Sequence, residues 1–118
     1  MRCKTRMTPL ARHLVSWGLP VVNLEFCNSK FWAGNHDLNA ADMVAVAQKI
    51  DTGKVIYVGF SAGGLAAIWA TNLDNKTLAF FGLDMVDHEG LGKEKAPNLK
   101  VPTYGLIAAP SACNAYNN

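Results

Sequence analysis

Apolar residues along this chain fall into two patterns, helical spacing and short continuous runs, separated by polar turns. Leu10, Ala11, Leu14, Val15 and Trp17 recur at helical intervals, which predicts a helix over about 9–17, capped by Thr8 with Pro9 at its first position and stopped by Gly18. Leu19 to Phe26 reads as a strand entered through Pro20, where a missing N–H is tolerated. A loop from Cys27 to His36 follows, and its Phe31, Trp32, Gly34, Asn35 and His36 are candidates either to line a pocket or to pack on the domain. Leu38, Ala41, Val44, Ala45 and Gln48 then predict a helix to about Ile50, capped by Asp37 or Asn39, with Asp42 solvated.

Asp51 to Lys54 is the turn into a strand over 55–60, and an apolar helix runs from Ser61 to about Asn72 before the polar break Asp74-Asn75-Lys76. Leu78 to Leu83 is a buried strand ending at Asp84, a polar loop spans Asp87 to Lys100, and a last strand covers Val101 to Ala108. This alternation predicts an α/β fold with a mostly parallel, doubly wound sheet and helices on both faces.

Composition narrows the class without naming a chemistry. The 118 residues are half apolar with a net charge of +2, enough for one domain and too neutral to suggest a nucleic-acid partner. The basic run Arg2, Lys4, Arg6 reads as part of a solvated, flexible tail over 1–8. No apolar run reaches a membrane span, and Met1 to Pro9 is followed by no signal-peptide hydrophobic region, so the chain as written is expected in the cytoplasm, although a longer parent protein could be exported. Cys3, Cys27 and Cys113 lack C-x-x-C spacing. They suggest packing rather than zinc, with a Cys27–Cys113 disulfide left open for an exported parent. No metal and no cofactor is expected.

The chemistry concentrates in Val55-Ile56-Tyr57-Val58-Gly59-Phe60-Ser61-Ala62-Gly63-Gly64. G-x-S-x-G between a strand and a helix is the pattern of a nucleophile elbow, whose serine hydroxyl stands exposed on a strained corner. Gly59 and Gly63 lie two residues either side of Ser61, where strand and helix backbones approach too closely for Cβ atoms. A phosphate-cradling loop is the alternative, but the G-x-G-x-x-G spacing and a Lys-Ser/Thr ending are both missing; ordinary close helix-to-strand packing is the other. As a nucleophile, Ser61 would need a base, an acid to orient it and oxyanion donors, the first being the backbone N–H of Ala62. Asp84 ends the next strand, at the edge where a parallel sheet delivers such an acid.

Together, Gly59-Phe60-Ser61-Ala62-Gly63-Gly64 and Phe81-Gly82-Leu83-Asp84-Met85-Val86-Asp87 resemble the α/β-hydrolase superfamily, in particular its chlorophyllase-like and platelet-activating-factor-acetylhydrolase-like branches. The segment Leu10 to Val22 also resembles the family's helix and strand before the elbow, so the likeness runs from about residue 9. It implies one partial α/β-hydrolase domain over 1–118 and esterase or lipase-like activity on a small ester through an acyl-enzyme at Ser61. It further implies Asp84 as the acid, with Asp87 as second choice.

The family's histidine lies after a further strand, and its second oxyanion donor in a His-Gly loop ahead of the elbow. Neither segment is found here, so the chain reads as truncated at both ends and without its catalytic histidine. His88 lies too close to Asp84, and His36 precedes the elbow; His13 reads as structural. An inactive fragment or pseudoenzyme that only binds is therefore the competing expectation, with unpaired sheet edges inviting self-association. A nucleotide-binding domain is a third, weakened by the missing acidic ribose contact.

Overall fold

A computed structural model of the chain describes residues 4–27, 34–51 and 53–112. The chain divides into two compact units, Met1–Gly34 and Asn35–Asn118. In the first, a 3-10 turn over Lys4–Met7 leads into helix α1, Thr8–Ser16. Its cap is Met7, and Thr8 is already helical, so the expected Thr8 cap moves one residue upstream; Pro9 stays in the first turn, where its missing N–H leaves no bond unmade. The helix ends as the N–H of Gly18 donates to the carbonyl of Val15 at 2.9 Å, with Gly18 at φ 82°.

The strand expected over Leu19 to Phe26 does not form: these residues belong to no ladder. Their alternation fits a half-buried extended segment, but a strand exists only where a neighbour completes its hydrogen bonds. Cys27 carries a free, exposed thiol, while Cys3, Cys113, Phe31 and Trp32 lie outside the described residues.

The second unit is an α/β layer structure. Helix α2 spans His36–Ile50, strand β1 Val55–Phe60, helix α3 Ala62–Leu73 and strand β2 Thr77–Leu83. Helix α4, Leu91–Lys95, with a 3-10 turn over Ala96–Asn98, lies within the segment read as loop, and strand β3 is Thr103–Leu106. Asn35 precedes α2 as its cap, so Asp37 and Asn39 are first-turn residues rather than caps, and Asn39 is buried. Helix α2 stops at Asp51, left-handed at φ 48°, whose N–H donates to Ala47.

All three strands are parallel and ordered β1-β2-β3. That order never reverses, so the described sheet is wound in one direction rather than doubly wound. Helix α3 packs on β1 and β2, and α2 and α4 pack on α3, so the unit's helices form one layer rather than covering both faces. The core between them holds Tyr57, Leu65, Ala66, Ala67, Ile68 and Phe80. The opposite face carries Ile56, Tyr104 and Leu106, all exposed, with the Tyr104 ring stacked on Phe81 at 4.7 Å. Among the described residues no helix is long and apolar enough to cross a membrane.

Candidate functional site

β1 and α3 meet at Ser61, whose backbone sits at φ 54°, ψ −127°. A side chain with a Cβ occupies that region only under strain, commonly about 1–3 kcal/mol. Three contacts hold it there. Its N–H donates to the Leu83 carbonyl at 3.0 Å, its carbonyl accepts the Gly64 N–H at 2.9 Å, and Gly59 lets strand and helix close to backbone contact, whereas Gly63, expected to do the same, has open space where a Cβ would stand. A Cβ on Gly59 would lie 2.6 Å from Gly64 Cα and closer still to the Gly63 carbonyl oxygen, so no larger residue fits. The chain therefore turns from strand to helix in one residue. Ala62 opens α3, where an amide N–H has no intrahelical acceptor and points out of the helix end.

Asp84 lies beside this corner. Phe60 and Leu83 are register partners across β1 and β2, and Ser61 and Asp84 are the next residue of each strand, on neighbours spaced about 4.8 Å apart. Asp84 is itself left-handed at φ 44°. Its N–H donates to Leu106 at 2.6 Å and its carboxylate Oδ1 accepts the Ala108 N–H at 3.1 Å, which ties the end of β2 to β3.

Asp87 does different work. Its carboxylate accepts the backbone N–H groups of His88 at 2.7 Å, Gly92 at 2.8 Å and Lys93 at 3.2 Å, closing the loop onto the first turn of α4. Desolvation pushes its carboxyl upward, but the donors from Gly92, Lys93 and His88, with the nearby His88 imidazole, together hold it below its ordinary value. Of the D-x-x-D pair, one residue ends the strand next to Ser61 and the other anchors the following loop.

The histidines separate by unit. His13 lies on α1 with its ring 5.8 Å from that of Trp17. His36 and His88 come together, ring centroids 6.0 Å apart and edge to face. Topology explains the pairing. Helix α2 ends at Ile50 and β1 begins at Val55, so the helix runs back along the strand, which returns its first residue, His36, to the edge where β1 and β2 end. His36 is buried, and desolvation, followed by the charge of His88, lowers its pKa, with Asp37 acting weakly the other way. This pairing was not visible in the sequence, where the two lie 52 positions apart (88 − 36); the direction of α2 relative to β1 is the signal that could have found it. No hydrogen bond joins any described imidazole to the Ser61 hydroxyl.

A shallow cleft of about 340 Å³ opens beside α3, floored by Leu65 and Ile68 and walled by Met85, Val86 and Gly92. Among the described residues, no group of three or more His, Cys, Asp or Glu side chains could hold a metal ion. The chain matches no protein-family model, no curated protein and no solved structure.

Proposed function

We propose that this chain carries the nucleophile elbow of a serine hydrolase acting on carboxylic esters, within a partial α/β-hydrolase fold. The observation that carries the reading is the backbone of Ser61, a strained non-glycine residue at φ 54°, ψ −127° between a parallel strand and a helix N-terminus. Strain of this kind persists where surrounding contacts impose it, and it clusters at reacting residues. In the proposed reaction the Ser61 Oγ bonds to the ester carbonyl carbon as its proton passes to a general base, and the carbonyl π electrons move onto oxygen. The Ala62 N–H stabilises that oxygen; the carbonyl then re-forms as the C–O bond to the alcohol breaks, the base returns the proton to the leaving alcohol oxygen, and the resulting acyl-enzyme is hydrolysed by water. Asp84, one residue past the strand neighbouring the elbow, is the orienting acid. The triple engagement of Asp87 with the loop backbone speaks against giving it that role.

A specific observation favours a second reading, a catalytically silent domain that only binds. No described imidazole bonds the Ser61 hydroxyl, and Asp84 Oδ1 receives the Ala108 N–H rather than an imidazole. The two readings part on one experiment with the 118-residue chain. With imidazole supplied as the base that no described histidine gives Ser61, the hydrolase reading has a fluorophosphonate probe label the wild type at Ser61 and p-nitrophenyl acetate turn over above the Ser61→Ala level. Under the silent reading, turnover is indistinguishable from Ser61→Ala. Labelling that survives Ser61→Ala would remove Ser61 as nucleophile.

A further inference from the structure

The pairing of His36 with His88 joins two parts of the second unit that the chain connects only at long range. His36 opens α2 and is buried there at 8% exposure. His88 belongs to the segment between β2 and α4, whose backbone Asp87 gathers through three hydrogen bonds. The same segment walls the cleft beside α3 through Met85, Val86 and Gly92. Whatever holds His88 against His36 therefore also holds that wall in place.

We propose that the His36–His88 contact is an acid-released latch: the closed pair holds the 85–95 segment against α3, and protonation of His36 frees that segment and opens the cleft. This is independent of any chemistry at Ser61. Two neutral rings meet edge to face favourably, whereas two imidazolium rings at the same separation repel. A buried imidazole also gives up hydration when it charges.

The surrounding charges set the direction. Asp37, beside His36, favours its protonated form but is the weakest of the three influences on it. Glu89 Oε1 lies 3.9 Å from His88 Nε2, and the Asp87 carboxylate accepts the His88 backbone N–H at 2.7 Å, so the acidic groups near His88 are Glu89 and Asp87. Helix α3, against which α2 packs, has no titratable side chain. On α4, Glu94 is paired with Lys95 at 2.7 Å, and Lys93 meets Asp87 through its backbone N–H. His36 is thus the group whose protonation the closed arrangement resists. Its native pKa lies below the unfolded value of 6.5, so the closed form is favoured above that pH and loses ground as pH falls through the interval beneath it.

The test is residue-resolved amide exchange by NMR on the full chain at pH 7 and pH 5, expressed as protection relative to unstructured peptide at the same pH. The Gly92 and Lys93 amides should lose protection between pH 7 and pH 5, while amides of the β1–β2 ladder keep theirs. His36→Phe, which keeps a buried ring and removes the titration, should abolish the loss, and His88→Gln should reduce it should the first variant fail to fold. Three results overturn the latch: no loss at Gly92 and Lys93, an equal loss throughout the β1–β2 ladder, or a loss unchanged in the folded variants.

Discussion

The Tyr57 hydroxyl donates a 2.7 Å hydrogen bond to Asp74 Oδ2, and both residues are buried. Asp74 ends α3 and Tyr57 lies in β1, so the bond fastens the far end of the helix to the strand that launches it. Asp74 is satisfied on its other side as well: Oδ1 accepts the Lys76 N–H at 2.9 Å, and its carbonyl accepts the Thr77 hydroxyl at 2.8 Å. Ser61 fixes one end of the β1–α3 pair and Asp74 the other. The corner's strain has to be held against this second anchor.

Tyr57→Phe should therefore destabilise the unit by about 1–3 kcal/mol, because it leaves a buried carboxylate oxygen without its donor. Chemical denaturation of wild type and variant measures it. Burial, then the bond and charge of Asp74, raise the Tyr57 pKa far above its ordinary 10.0. The unfolded chain ionises at that ordinary value while the folded one does not, so the wild type should lose stability as pH rises through about 10. The Tyr57→Phe variant should lose less over the same interval.

Gly59 and Gly82 face each other in the β1–β2 register but should differ in what they tolerate. A Cβ on Gly59 meets backbone, Gly63 C at 2.7 Å and Gly64 Cα at 2.6 Å, which cannot move without opening the corner. A Cβ on Gly82 meets the Met85 side chain, which can swing aside. Gly59→Ala should cost about 1–3 kcal/mol or more, and Gly82→Ala less. The order of thermal midpoints checks this, and equal midpoints would remove the argument for close approach at the elbow.

The contrast between these glycines also shows what could be read from the chain. The boundaries of β1, α3 and β2 were legible because continuous apolar runs there end at glycine or aspartate, so local composition and burial agree. Residues 20–26 carry the same local signal without a ladder partner, and no local pattern reveals whether a partner exists. Helix α4 was missed because Gly90-Leu91-Gly92 has poor helix propensity and its cap comes from Asp87, four residues before Leu91, through side-chain bonds rather than the adjacent position. At the site, Ser61 and Asp84 could be placed from strand ends. The pairing of His36 with His88 depends on how α2 lies along β1, which spacing does not encode.

Asp87→Ala should loosen α4 without disturbing the sheet. It removes the acceptor for three backbone N–H groups, and amide exchange at Gly92 and Lys93 should accelerate at pH 7. The folded carboxyl pKa is depressed, so its contribution is complete above the unfolded value of 3.8 and disappears as pH falls through the lower folded value. Wild type and variant should therefore converge in strong acid, and exchange rates still distinct there would show that the carboxylate is not what holds the loop.

Ser61→Gly separates the two properties joined at the corner. Glycine enters φ 54°, ψ −127° without the Cβ conflict, so relief of backbone strain should raise stability. It also loosens the unfolded chain, which opposes the gain by roughly 0.5–1 kcal/mol. With strain of about 1–3 kcal/mol at such a residue, the balance predicts a variant equal to the wild type or more stable by up to about 2.5 kcal/mol. Ser61→Ala keeps the Cβ and should show no such gain, so the difference between the two variants isolates the strain from the hydroxyl. Both should lose fluorophosphonate labelling if Ser61 is the nucleophile. A serine whose replacement by glycine stabilises the fold while removing reactivity is held in place against the local preference of its own backbone. Were Ser61→Gly less stable than Ser61→Ala, the corner would be unstrained, and the main support for reading it as a nucleophile elbow would be gone.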